Sequence, residues 1–170
     1  MTVHSKAAMM AMTLFATALT GAPQAYAKPM RTGPVASVVE PFFEAVARED
    51  LVAVQKFITP DSIVQAMFNP NGQNGAAHIR SFPATAYFAI VTRNYENIVF
   101  SDRIFSVSRD GRTVWMEAQG NLIVAATGKP YRNGYVFKLT LENGKIKAIQ
   151  EWVNTVTLTQ QGLSAGVPAR

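Results

Sequence analysis

The chain contains no cysteine, which excludes disulfides, thiolate nucleophiles and zinc–thiolate sites. Histidine is nearly as scarce, with only His4 and His78 among 170 residues. Histidine-based metal sites draw on two or three imidazoles, so no metal is expected. An ordinary serine–histidine triad would have to depend on His78 alone. No glycine-rich phosphate loop leads into a helix, so a nucleotide site has no motif behind it. No cofactor is expected. Charged residues make up 16% of the chain and the formal net charge is +5. The positive side chains (Arg80, Arg93, Arg103, Arg109, Arg112, Lys129, Arg132) are scattered. A nucleic-acid footprint would be denser, so this charge reads as solvation. No stretch has the roughly 20 consecutive apolar residues of a membrane span.

What is present divides the chain into segments. Residues 1–27 have the composition of a secretory signal peptide. His4 and Lys6 give a basic start, an apolar run extends from Ala7 to Leu19, and Ala25-Tyr26-Ala27 supplies small residues for cleavage before Lys28. The protein is therefore expected to be exported, to the periplasm or beyond, as a mature chain of about 143 residues, a length that buries one core. Residues 28–34 read as a linker, 35–160 as one domain and 161–170 as a loose tail.

Within the domain, Val35, Val38, Val39, Phe42, Phe43 and Val46 recur at helical spacing. Pro41 falls inside that pattern and should kink or split the helix. Leu51, Val54 and Ile58 indicate a second helix closed before Pro60. Ser62–Phe68 reads as a strand, and the run from Asn69 to Gly75 as a loop. Ala76–Arg93 looks like a helix broken near Pro83, with Ser81 capping its second half. Strands follow at Ile98–Val107, Thr113–Ala126, Tyr131–Leu141 and Lys145–Thr157, joined by turns at Arg109–Gly111, Thr127–Pro130 and Asn143-Gly144. Helices first and an antiparallel meander afterwards define an α+β domain with its helices on one side of the sheet.

This order of elements resembles the SnoaL-like branch of the nuclear-transport-factor-like superfamily, which includes ketosteroid isomerase, scytalone dehydratase and polyketide cyclases. The most specific stretch is Gly128-Lys-Pro-Tyr-Arg-Asn-Gly-Tyr135, with Leu141-Glu-Asn-Gly-Lys-Ile146 and Glu151-Trp-Val-Asn154 after it. The phenazine-biosynthesis A/B proteins are similar there. The resemblance implies a cone-shaped, curved sheet wrapped on three helices around an apolar pocket, and a homodimer. It also implies that Glu151 is the pocket acid or base. Gln150 stands where those relatives carry arginine, and their pocket histidine falls near Tyr87.

Glu151 is the leading catalytic candidate on its own residues too. It lies among Ile146, Ala148, Ile149, Trp152 and Val153, where desolvation would raise its pKa toward the working pH of an acid or base. The competing reading is an outward glutamate paired with Lys138 or Lys147. Asn133 and Asn154 are amides on adjacent strands that could steady a substrate carbonyl or orient Glu151; strict alternation puts Glu151 and Asn154 on opposite faces. Tyr87, Trp115, Gln119, Tyr135, Phe137 and Trp152 are candidates for contacting an apolar ligand. For each of them the alternative is core packing or a solvated surface. Glu117 is a second possible buried carboxylate. Two functions follow: a cofactor-free isomerase, cyclase or dehydratase acting on a small apolar molecule, or a non-catalytic exported module that binds a ligand or dimerises.

Overall fold

A computed structural model describes residues 33–67 and 79–160. The expected leader, most of the linker, the loop Asn69–Gly75, His78 and the residues after Gln160 lie outside that described part. Among the described residues no helix is long and apolar enough to cross a membrane.

The first helix is split where proline demands it. Pro41 has no N–H to donate and its ring crowds the carbonyl four residues back. The chain meets this with a π-helical turn over Val35–Val39, in which the Glu40 N–H bonds the Val35 carbonyl, and then enters α1 at Glu40–Ala47. This helix buries Phe42, Phe43, Ala45 and Val46. The second helix, α2 (Leu51–Gln55), starts at Asp50, whose carboxylate accepts the Ala53 N–H at 2.9 Å, a side-chain N-cap.

Two expectations are corrected at this point. Ile58 is not the last helical residue; it opens strand β1 (Ile58–Ala66), and Pro60 lies inside that strand. It is tolerated because the pairing skips from Ile58 to Ile63 around it, so no ladder hydrogen bond is asked of the missing N–H. Ser81 does not cap a helix. Arg80–Pro83 forms strand β2, and α3 (Ala84–Asn94) begins directly after Pro83. Tertiary pairing with β1 (Gln65 opposite Ser81) overrides the local helical pattern there.

The remaining strands are β3 (Tyr95–Val107), β4 (Thr113–Val124), β5 (Lys129–Glu142) and β6 (Lys145–Val153), followed by a short helix α4 (Thr155–Gln160). They form one six-stranded mixed sheet in the order β2-β1-β6-β5-β4-β3. Only β1 and β6 run parallel. The β5–β6 hairpin turns on Asn143 and Gly144, with φ of 50° and 72°, the paired positive angles of a type I′ turn. Register shifts at Glu96/Val99, Ser101/Ile104 and Thr140/Leu141 mark bulges that bend the sheet, which is curved and open rather than a closed barrel. The α+β, mixed-sheet expectation is met, with helices packed on the inner face. That face is lined by aromatics: Phe42 lies edge-on to Phe43 and Phe88, at 5.2 and 5.1 Å, and Phe43 meets Phe137 at 5.0 Å.

Candidate functional site

The sheet register decides which side chains face inward. Phe137 on β5 is opposite Met116 on β4 and Glu151 on β6, and Glu151 is opposite Ala66 on β1. Directly paired residues share a face. Met116, Phe137 and Ala66 are buried core residues, so Glu151 projects into the core side of the sheet. The parallel neighbour β1 braces this strand end through the Met67 N–H, which bonds the Glu151 carbonyl at 2.9 Å. The expectation of an inward Glu151 agrees with this placement, and the alternative of an outward ion pair with Lys138 or Lys147 does not. Lys147 pairs instead with Asp61, and Lys138 lies over the Trp115 ring.

The carboxylate of Glu151 accepts a hydrogen bond from the hydroxyl of Tyr87 on α3. The residue as a whole keeps partial exposure, whereas the carboxyl group itself is surrounded by protein, and the carboxyl is what titrates. Its burial pushes the pKa from 4.5 up to about 7, against the opposing pull of the Tyr87 hydrogen bond. Three further tyrosines, Tyr95, Tyr131 and Tyr135, feel its charge. Burial raises all four phenols above their ordinary value, and the Glu151 charge adds to that. The arrangement is a single carboxyl group held near neutrality by burial and bonded to one phenol that remains protonated. Such a group can take up or release a proton.

The other candidates divide. Tyr87, Tyr135 and Phe137 are buried on the inner side with Glu151. Asn133 is also inward and buried, but its amide is committed to the main chain of Asn154: Oδ1 accepts the Asn154 N–H at 3.0 Å and Nδ2 donates to the Asn154 carbonyl at 3.1 Å. The Asn154 side chain is not brought to Glu151. It lies beyond the end of β6 and caps α4, accepting the Val156 N–H at 3.0 Å. The need for a bulge to unite Asn154 with Glu151 disappears, because the strand ends at Val153. Trp115, Gln119 and Trp152 lie on the opposite face from Glu151. Trp115 is 40% exposed and stacks on Trp152 at 5.6 Å, Gln119 is exposed, and Glu117 shares that outer face. Alternation carries these residues outward, and their polarity had no power to reverse it.

Tyr95 was not among the residues singled out from the sequence, whereas Tyr131 was read on the strand face that suits an apolar ligand without being assigned a contact. It shares that face with Asn133, Tyr135 and Phe137. Gly120 was missed too. It sits opposite Asn133 on β4, and a Cβ there would overlap the Tyr135 ring. That ring is stacked on Phe137 at 5.4 Å and lies edge-on to Phe100 at 5.3 Å, so it has little room to yield. Gly120→Ala is expected to cost about 1–3 kcal/mol of stability by overpacking. Denaturant unfolding would check it, and a change under about 0.5 kcal/mol would show that the ring moves freely. The tail also holds Gly162-Leu-Ser-Ala-Gly166, the pattern of a nucleophile elbow. Helix α4 rather than a strand comes before it, so it lacks the strand-to-helix context that gives that motif its chemistry.

An open mixed sheet with helices on its inner face and a buried carboxyl on its last strand place the chain among small α+β domains. The SnoaL-like domain family model matches residues 39–149, more than half of the chain, and the chain belongs to that family. The matched segment ends just before Glu151. Among solved structures, one similar fold is a Bacillus subtilis protein proposed to be an isomerase, with TM-score 0.60, 17% identity, and coverage of 76% of this chain and 94% of that one. Another is the pinacolase BvnE from Penicillium brevicompactum, with TM-score 0.59, 14% identity, and coverage of 76% and 91%. A phenazine biosynthesis-related protein from Pseudomonas aeruginosa aligns with TM-score 0.54, 14% identity, and coverage of 79% and 88%. No curated protein sequence matches the chain significantly.

Proposed function

We propose that this protein is an exported, cofactor-free acid–base catalyst of the isomerase, cyclase or dehydratase type, acting on a small apolar molecule with a carbonyl or comparable oxygen. The observation that carries the reading is the Tyr87–Glu151 pair on the inner face of the sheet. A carboxyl group with a pKa near 7 can take a proton from carbon and return it without leaving the physiological range. Glu151 keeps partial exposure on the inner face of the sheet, and the aromatic side chains on that face suit an apolar ligand. The names of similar folds, an isomerase proposal and a pinacolase among them, support this class of chemistry.

The test uses 2-tetralone, an apolar enolisable ketone, and follows solvent deuterium entering its α-position by NMR. The wild type should accelerate exchange, with a rate that rises as pH passes through about 7 and Glu151 becomes the free base. A wild type no faster than buffer would leave the binding-module reading in possession. Tyr87→Phe removes a hydrogen bond that favours the ionised carboxylate. The Glu151 midpoint, read from its carboxyl carbon by NMR, should therefore move upward, and the rise in exchange rate should move with it.

The outer face of the sheet exposes Val99, Ile104 and the stacked Trp115. We assign this face to a homodimer contact, since exposed apolar surface of this kind marks interaction sites. Light scattering on Ile104→Lys should then report a monomer where the wild type is a dimer.

A further inference from the structure

Arg80 carries an inference about the substrate class of the acid–base site, and the inference rests on that reading. The residue lies on β2, the edge strand of the sheet, opposite Ala66 of β1. Ala66 is in turn opposite Glu151 of β6. Directly paired residues share a face, so Arg80, Ala66 and Glu151 form one row on the inner side. Ala66 is buried, while the two ends of the row keep partial exposure. Two strand spacings separate those ends, about 10 Å between Cα atoms. A run of contacts also joins them. The Arg80 guanidinium lies over the Phe82 ring at 5.2 Å, Phe82 meets the Tyr87 ring at 5.7 Å, and the Tyr87 hydroxyl donates to Glu151.

The cation at the edge has no counter-charge. Among the described residues its guanidinium meets the Phe82 ring, and neither a carboxylate nor a hydrogen-bond acceptor. The ring attracts the charge but leaves the planar fork of five N–H donors unused. We infer that Arg80 is a specificity-determining residue: it pairs with a carboxylate of the substrate, so that the molecule whose proton Glu151 moves is a small apolar keto acid. A single guanidinium fork matches the two oxygens and the single charge of a carboxylate. Two anchors on strands of one sheet also orient the ligand, with its acid end at the sheet edge and its enolisable carbon at Glu151. The competing role for Arg80 is an inward charge that keeps an edge strand from pairing with another chain. Such a charge has no say in which ligand binds.

The probes are 3-benzoylpropanoate, an enolisable keto acid, and its methyl ester, which keeps the skeleton without the charge. Calorimetric titration gives their affinities, and solvent deuterium entering beside the ketone gives exchange. The wild type should bind the acid about tenfold or more tightly than the ester, as expected for hydrogen bonds between charged partners. Arg80→Met should lose that preference and keep the ester affinity. Its melting temperature should stay close to the wild type, because no ion pair is broken. Arg80→Lys, which keeps the charge without the fork, should retain part of the preference. A wild type that binds neither probe, or shows no preference for the acid, would overturn the proposal. So would an undiminished preference in Arg80→Met, which leaves Arg80 as a guard of the edge. Should that variant not fold, 15N-labelled wild type decides: the Arg80 Nε–H signal must shift with the acid and not with the ester, and an unmoved signal refutes the pairing. Exchange of 2-tetralone without any acid preference sinks the carboxylate site alone. An Arg80-dependent preference without exchange of any ketone sinks the proton-transfer reading alone.

Discussion

Glu151→Gln is expected to abolish ketone exchange while making the folded protein more stable above neutral pH. Both effects come from the same burial. Removal of the proton acceptor should lower the rate by about 10²–10⁴-fold, the usual contribution of a positioned general base. The stability effect follows from linkage. The folded-state pKa, about 7, lies above the ordinary value of 4.5. Between those values the folded state binds more protons than the unfolded state, so wild-type stability falls as pH rises through that window. The cost of keeping an ionised carboxylate buried reaches up to about 3 kcal/mol above pH 7, and it is absent below 4.5. Glutamine accepts the Tyr87 hydrogen bond without carrying charge, so the variant escapes that cost. Thermal melts at pH 4, 6 and 8 should show the two proteins converging in acid and separating in base. Parallel melting curves across the range would mean that the carboxyl group is not desolvated.

Phe42→Ala should be the most damaging core substitution, at about 3–5 kcal/mol. Phe42 is fully buried and lies edge-on to Phe43, Phe57 and Phe88, with ring centroids 5.2, 6.5 and 5.1 Å away. It therefore ties α1 to α3 and to the segment that enters β1. Phe88 is the neighbour of Tyr87 and packs against its ring at 5.4 Å. A cavity at Phe42 should loosen the α3 turn that carries the Tyr87 hydroxyl to Glu151. Denaturant titration would give the stability loss. In a variant that remains folded, the Glu151 midpoint should move upward, as in Tyr87→Phe, because the hydrogen bond that opposes the burial effect is weakened. A large stability loss with an unchanged midpoint would show that α3 is held in place without Phe42.

Much of the fold was legible because the local signals and the tertiary environment agree. The meander from Tyr95 to Val153 follows alternation and turn chemistry, and Asn143-Gly144 adopts the very angles that its dipeptide favours. Errors arose where a distant strand outweighed local pattern. Ile58 continues a helical spacing, but the pairing of Ile58 with Ile146 claims it for β1. Ser81 looks like a cap until Gln65 is seen opposite it. The site was half legible. The run of apolar residues around Glu151 foretold a desolvated carboxyl, and alternation separated it from Asn154. Trp115, Gln119 and Trp152 were drawn toward the ligand by residue type, although the same alternation sends them to the outer face.

The sequence by itself determined the class of the domain and the want of any thiol or histidine cluster for other chemistry, because periodicity and composition are local properties of the chain, whereas the aim of Glu151 was settled by the register of β5 and β1 against β6. Only the tertiary structure decided that Tyr87, 64 positions away, meets that carboxylate, and that Asn133 spends its amide on the main chain of Asn154. Those contacts arise from the packing of α3 across the sheet and from the point at which β6 stops, and neither is written in the spacing of residues along one strand.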